Sequence, residues 1–110
     1  RQPLPADVQA RLTNIVGIIA GVEAKVPAQA RTATAAINAA RRDAARSGDA
    51  EVERSRYEAL FMPLSIEDRQ LEVLSDDVVG RDGADAVLAQ IADLRARLAA
   101  LDKQRTALPE

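Results

Sequence analysis

Two ladders of apolar residues, with steps that alternate between four and three residues, constrain what this chain can fold into. The first ladder consists of Val8, Leu12, Ile15, Ile19, Val22 and Val26. The second consists of Val87, Ile91, Leu94, Leu98, Leu101 and Leu108, with Arg105 as its one interruption. Such spacing places apolar side chains along one side of a helix, where another helix must cover them. The pattern predicts an all-α fold, and no strand is expected.

Turn and capping signals divide the chain into three long helices within one domain over residues 1–110. Pro5 suits a first helical position, and Gly48 suits a helix stop. Asp49 is expected to open the second helix, and Asp82 is expected to cap the third. We therefore predict an antiparallel helical bundle. Its helices are expected to span about 5–47, 50–79 and 83–108.

Two prolines fall inside the predicted helices. Across Pro63 the apolar phase is kept, with one gap at Glu67, which favours a second helix kinked at Pro63 over two separate helices. Across Pro27 the phase is less well kept. A kink there leaves three helices, whereas a full break produces a four-helix bundle, and both remain open at this stage.

The helix lengths predict an overhang. At 1.5 Å per residue the three helices would measure roughly 60, 45 and 36 Å, which leaves the start of the first helix uncovered. That start carries Val8, Leu12 and Ile15. Either a break at Pro27 folds it back, or a second copy of the chain covers it. Residues 22–28 contain no glycine for a tight turn, so we favour the kinked helix and a homodimer.

Gly17 and Gly21 add to this expectation, because glycines four residues apart allow two helix backbones to approach closely. A helix-interior glycine costs about 1 kcal/mol relative to alanine, so two of them require a packing reason. The alternative reason is relief of crowding inside an ordinary bundle. The residues predicted to form the interface are Val8, Leu12, Ile15, Gly17, Ile19, Gly21 and Val22.

The chain offers little chemistry. It has no Cys and no His, so thiolate metal sites and imidazole acid–base chemistry are excluded. The neighbouring carboxylates Glu67 and Asp68 diverge by about 100° on a helix and are expected on a solvated face. No phosphate loop, nucleophile with a base, or metal-ligand spacing occurs. No catalytic, cofactor-binding or metal-binding residue is predicted, and an enzyme is not expected.

Four bulky residues gather beside Pro63, namely Tyr57, Phe61, Met62 and Leu64. They either line a small pocket where a kink opens the bundle or form the bulky part of an alanine-rich core. The main functional hypothesis is a non-enzymatic helical module for protein–protein interaction or assembly. A bundle that senses a small ligand near Pro63 is the second hypothesis, and an accessory helical domain of a larger protein is the third. The layout is similar to spectrin-like repeats and periplasmic sensor bundles, without a motif residue specific to either.

Charge and composition limit the partners. The chain has a net charge of −2 and only two aromatic residues, so nucleic-acid binding is not expected despite the basic cluster Arg41, Arg42 and Arg46. The best apolar run, residues 15–22, is too short to cross a bilayer. We expect self-association, with another protein partner as the alternative. No cofactor is expected.

The chain begins at Arg1 rather than Met. Either a targeting segment has been removed or the chain is a fragment of a longer one, and we favour the first option, a processed periplasmic or secreted protein. The thirteen arginines against two lysines suggest a GC-rich bacterial genome.

Overall fold

The computed structural model describes residues 2–110, which form four α-helices and no strand. The all-α prediction is confirmed. The helices are α1 (Val8–Arg42), α2 (Ser47–Leu60), α3 (Leu64–Val78) and α4 (Ala84–Arg105). They pack along one another into a rod of 65 × 18 × 17 Å.

Pro27 lies inside α1, and the helix continues through it. A proline removes one N–H, so the Glu23 carbonyl lacks its usual donor four residues on. The helix tolerates this loss because Pro27 is exposed and its ring faces solvent rather than a packed neighbour. The four-helix alternative, which requires a break at Pro27, is therefore wrong, and the divisions that produce four helices lie elsewhere.

The break between the first helix and the second comes earlier in the chain than predicted. α1 ends at Arg42 because Asp43 adopts an extended conformation, with φ −146° and ψ 104°. Its side chain accepts a hydrogen bond from the Ala45 amide at 3.1 Å, and residues 44–46 form one 3₁₀ turn. α2 then begins at Ser47. Gly48 and Asp49 lie in its first turn, so the predicted stop at Gly48 is wrong.

The second division replaces the single predicted helix over 50–79 by α2 and α3, which are separated by residues 61–63. In this junction, the amides of Phe61 and Met62 bond to carbonyls three residues back, at 3.1 and 3.3 Å. Pro63 has no amide to donate. The tighter bonding and the missing donor together interrupt the helix, although Pro63 itself keeps helical angles of φ −67° and ψ −18°.

The turn between α3 and α4 relies on two glycines with φ of +78°, Gly80 and Gly83. Gly83 occupies the N-cap position of α4 without a side-chain cap, so the predicted capping by Asp82 does not occur. Instead the Asp82 amide donates to the Gln2 carbonyl at 3.0 Å, which holds the N-terminal segment against this turn. This segment leads into α1, which begins at Val8. The helix therefore begins three residues after Pro5, the predicted start.

The predicted overhang at the start of α1 is wrong. Arg11 pairs with Asp77 of α3 at 2.9 Å, and Gln29 bonds to Glu53 of α2 at 2.9 Å. α1 therefore runs antiparallel to α2 and then to α3, which returns to the start of α1. All six residues of the first ladder are buried in the core of their own chain. The exposed end of the rod is the opposite one, where residues 41–49 are all exposed.

Candidate interaction surfaces

Gly17 and Gly21 lie on the outside of α1, away from the buried ladder. Gly17 is exposed and Gly21 is partly buried. A Cβ built on either glycine would meet no atom within 4 Å, apart from the neighbouring turns of its own helix backbone. Nothing in the described chain approaches these glycines closely, so relief of crowding does not explain them. We call the outward surface around them the glycine face.

A shallow groove of about 340 Å³ runs beside the glycine face. One wall is α1, and the other is the end of α2 with the junction. Its lining comprises Gly17, Ile18, Gly21, Val22, Lys25, Ala59, Leu60 and Pro63. The missing side chains of Gly17 and Gly21 keep this groove open, because any larger residue there would project into it.

The other predicted interface residues are buried inside the chain. They are Val8, Leu12, Ile15, Ile19 and Val22. All five belong to the core cluster of their own chain, and among them only Val22 also borders the groove. Of the seven predicted positions, only Gly17 and Gly21 lie on the outside.

A larger cleft of about 670 Å³ lies between the junction and α4. Phe61, Met62 and Leu64 line it from one side, and Leu98 lines it from α4. Met62 is 73% exposed at the rim. The remaining lining is mostly charged and includes Glu58, Asp68, Arg95, Asp102 and Arg105. The cleft thus combines an apolar floor with a rim that carries both signs of charge.

Tyr57, the fourth predicted pocket residue, does not line the cleft. It is 2% exposed, and its hydroxyl donates to the Gln104 carbonyl at 2.5 Å. Its ring packs edge-on against Phe61, with 5.0 Å between the ring centroids. Burial, with a smaller effect from Glu58, raises the pKa of the Tyr57 hydroxyl. Tyr57 therefore joins α2 to the end of α4 as a core residue.

Glu67 was expected on a solvated face, and this prediction is wrong. It is 5% exposed, and its Oε2 atom has no hydrogen-bond partner among the described residues. Burial raises the pKa of this carboxyl. The signal was present in the sequence, because Glu67 fills the one gap in the apolar phase that crosses Pro63.

The basic cluster near the end of α1 is exposed. Arg46 lies 3.8 Å from Asp43, and Arg41 donates to the Glu110 carbonyl, so two of its three arginines contact their own chain. Within residues 2–110, no helix is long and apolar enough to span a membrane. Over the same range, no three acidic side chains converge as metal ligands would. Comparison with known proteins found no matching family model, curated sequence or solved structure.

Proposed function

We propose that this chain is a non-enzymatic helical interaction module that self-associates through the glycine face of α1. In this proposal the four helices act as one antiparallel bundle, and heptad-type packing extends from α1 to α1 of a second copy. The observation that carries the proposal is the open space around Gly17 and Gly21.

The energetic reason is the cost of glycine within a helix. Each helix-interior glycine costs roughly 0.5–1 kcal/mol relative to alanine. No packing contact within the monomer offsets this cost, because no atom of another helix lies within 4 Å of a Cβ built on either residue. A close helix contact with another molecule would supply the packing that the monomer lacks.

The composition of the glycine face favours a second copy as the partner. Small residues recur at intervals of seven along it, as Ala10, Gly17 and Ala24 and as Gly21, Ala28 and Ala35. A row of small residues is complementary to an identical row, which is the requirement of a two-fold symmetric contact. The groove beside Ile18 and Pro63 then receives side chains from the facing helix.

Light scattering over about a hundredfold range of concentration tests the proposal, because mass action makes the dimer fraction depend on concentration. We expect a dimer for the unmodified chain. The double variant Gly17→Leu and Gly21→Leu should be monomeric, because leucine holds the two backbones apart. Ala96→Leu, at an exposed position on α4, is the matched control and should remain dimeric.

A second pair of substitutions separates a lost contact from a lost fold. Gly17→Ala with Gly21→Ala should raise the thermal stability of the monomer, because alanine is the better helix former. The same variant should weaken the dimer, because two methyl groups enter the contact. A wild-type chain that stays monomeric over the whole concentration range overturns the proposal.

The cleft supports a second candidate function, the binding of a small amphipathic ligand. The observation in its favour is that Phe61, Met62 and Leu64 line one cleft with a charged rim. A panel of amphipathic compounds should then contain one that raises the melting temperature. Met62→Glu should abolish this increase. Ile66→Glu should preserve it, because Ile66 is 60% exposed and does not line the cleft.

A further inference from the structure

Glu67 occupies a place in α3 that the surrounding pattern assigns to an apolar residue. Its row in α3 is completed by Leu64, Leu71, Leu74 and Val78, all of which are buried. Glu67 itself is 5% exposed. The α3 helix packs against α1 and α4, and the Oε2 atom of Glu67 is shielded from solvent there.

The carboxyl group has no compensating partner there. Its Oε2 atom lacks a hydrogen bond, and none of the ion pairs formed within residues 2–110 includes Glu67. A buried ionised carboxylate without a partner is costly, whereas the protonated acid is much less so. Native proteins rarely retain such a group without a reason.

The register of the helices shows which charged groups surround Glu67. Counting ten residues along both antiparallel helices from the Arg11–Asp77 ion pair places Gly21 at the same level of the rod as Glu67, although Gly21 lies on the outer side of α1. The cleft brings Leu64 and Asp68 of α3 together with Leu98 and Arg95 of α4, so Glu67 lies at about the level of this part of α4. The charged side chains near this level are Glu23 and Lys25 on α1, Glu58 on α2, Asp68, Arg69 and Glu72 on α3, and Asp93, Arg95 and Arg97 on α4.

None of the four cations near this level forms an ion pair with Glu67, and Arg69 pairs with Glu72 at 3.4 Å instead. Arg97 is already bonded to Glu23 at 3.0 and 2.5 Å. Lys25 and Arg95 line the groove and the cleft, respectively, and neither lies within 4.0 Å of a Glu67 oxygen as an ion pair would. The acidic neighbours Glu23, Glu58, Asp68 and Asp93 can only oppose a second negative charge.

We propose that Glu67 is a proton-operated lock on the contact between α3 and α1. In its neutral form Glu67 packs as a member of the apolar row and the helices stay closed. When Glu67 is ionised, its negative charge is costly to keep away from water, and the segment of α3 that follows the junction loosens. This device is independent of the proposed self-association, because it acts inside a single chain.

The direction of the pH dependence follows from burial. Burial raises the pKa of Glu67 in the folded chain above its ordinary value, so the folded state holds the proton more tightly than the unfolded state. The stabilising contribution is complete below the unfolded pKa of about 4.3 and is lost as the pH rises through the higher folded value. Acid therefore favours the closed form.

Melting curves for the full chain from about pH 4 to mildly alkaline pH provide the test, because the lower end of this range lies below the unfolded pKa. Glu67→Gln keeps the shape of the protonated acid and cannot ionise. We expect its melting temperature to match the wild type in acid and to exceed it at alkaline pH by on the order of 5 °C. Amide exchange in residues 64–71 should be faster in the wild type than in Glu67→Gln at alkaline pH.

Two further variants keep the test decisive. Glu72→Gln removes an exposed carboxylate from the same helix and should leave the pH profile parallel to that of the wild type. Glu67→Met should reproduce the flattened profile of Glu67→Gln, because it also cannot ionise. Parallel profiles for the wild type and both Glu67 variants would overturn the proposal.

Discussion

Arg97 of α4 donates two hydrogen bonds to the carboxylate of Glu23 on α1, at 3.0 Å from Nε and 2.5 Å from Nη2. This two-point pair joins the two helices that run parallel in the rod, beside the turn of α1 that contains Pro27. The hydrogen bonds from Arg97 lower the pKa of Glu23, although partial burial opposes the shift. The pair therefore marks the level at which α4 lies beside α1.

Breaking this pair should cost little, because its side chains are 38% and 35% exposed and salt screens them. A double-mutant cycle with Glu23→Gln and Arg97→Gln should give a coupling energy of about 0.5–1 kcal/mol. The lowered pKa of Glu23 means that the contribution is present above the unfolded value and disappears as the pH falls through the folded value. Urea unfolding at several pH and salt values measures it, and a coupling that grows with salt would contradict the prediction.

Tyr57→Phe should destabilise the fold by about 1 kcal/mol, because it removes the hydroxyl that bonds to the Gln104 carbonyl. The ring contact with Phe61 is retained, so the loss measures the hydrogen bond rather than packing. Thr32→Ala is the control, since it removes an exposed hydroxyl bonded within α1. Urea midpoints should fall for Tyr57→Phe and change little for Thr32→Ala, and equal shifts would show that the bond is unimportant.

Pro27→Ala should stabilise the chain by about 1–3 kcal/mol, because alanine restores a donor for the Glu23 carbonyl and is a better helix former. The exposed position of Pro27 means that no packing contact is lost. Thermal unfolding measures the change. A lower melting temperature would instead show that the proline shapes α1 for its contacts with α2 and α3.

Gly83→Ala should destabilise the fold by about 1–2 kcal/mol, because Gly83 has φ +78° and alanine is strained there. The added Cβ would also lie 3.5 Å from Leu4, which is in ordinary contact range, so strain rather than collision sets the cost. Gly48→Ala, within α2 and with open space around it, should be neutral or stabilising. Urea midpoints that fall equally for both variants would contradict the role assigned to the Gly83 backbone.

The apolar spacing predicted the helical class and the buried side of each helix, because a period of three to four residues is a local property of the chain. Val8, Ile19, Leu71 and Leu94 all lie in the core, on the sides that their spacing indicated. The spacing did not place the helix ends. Asp43 ends α1 through its own backbone conformation. The junction depends on the hydrogen bonds that Phe61 and Met62 form beside Pro63. Neither feature changes the spacing of the apolar residues, so the spacing could not reveal them.

The candidate surfaces show the same division. The sequence singled out Gly17 and Gly21, and it collected Phe61, Met62 and Leu64 near one point. Only the packing showed that Ile15 and Ile19 are covered by their own chain while the glycines remain outside. Coverage depends on where α3 and α4 return along α1, which is a distance between remote parts of the chain.

The sequence by itself determined that this protein is helical and which residues avoid water, because both follow from the spacing of side chains along one helix. The tertiary structure decided which apolar surfaces remain for a partner, that Tyr57 belongs to the core, and that the carboxyl group of Glu67 is buried without a cation. These outcomes depend on which helices meet and at what register. The local pattern of residues does not contain that information, because several registers bury the same ladders.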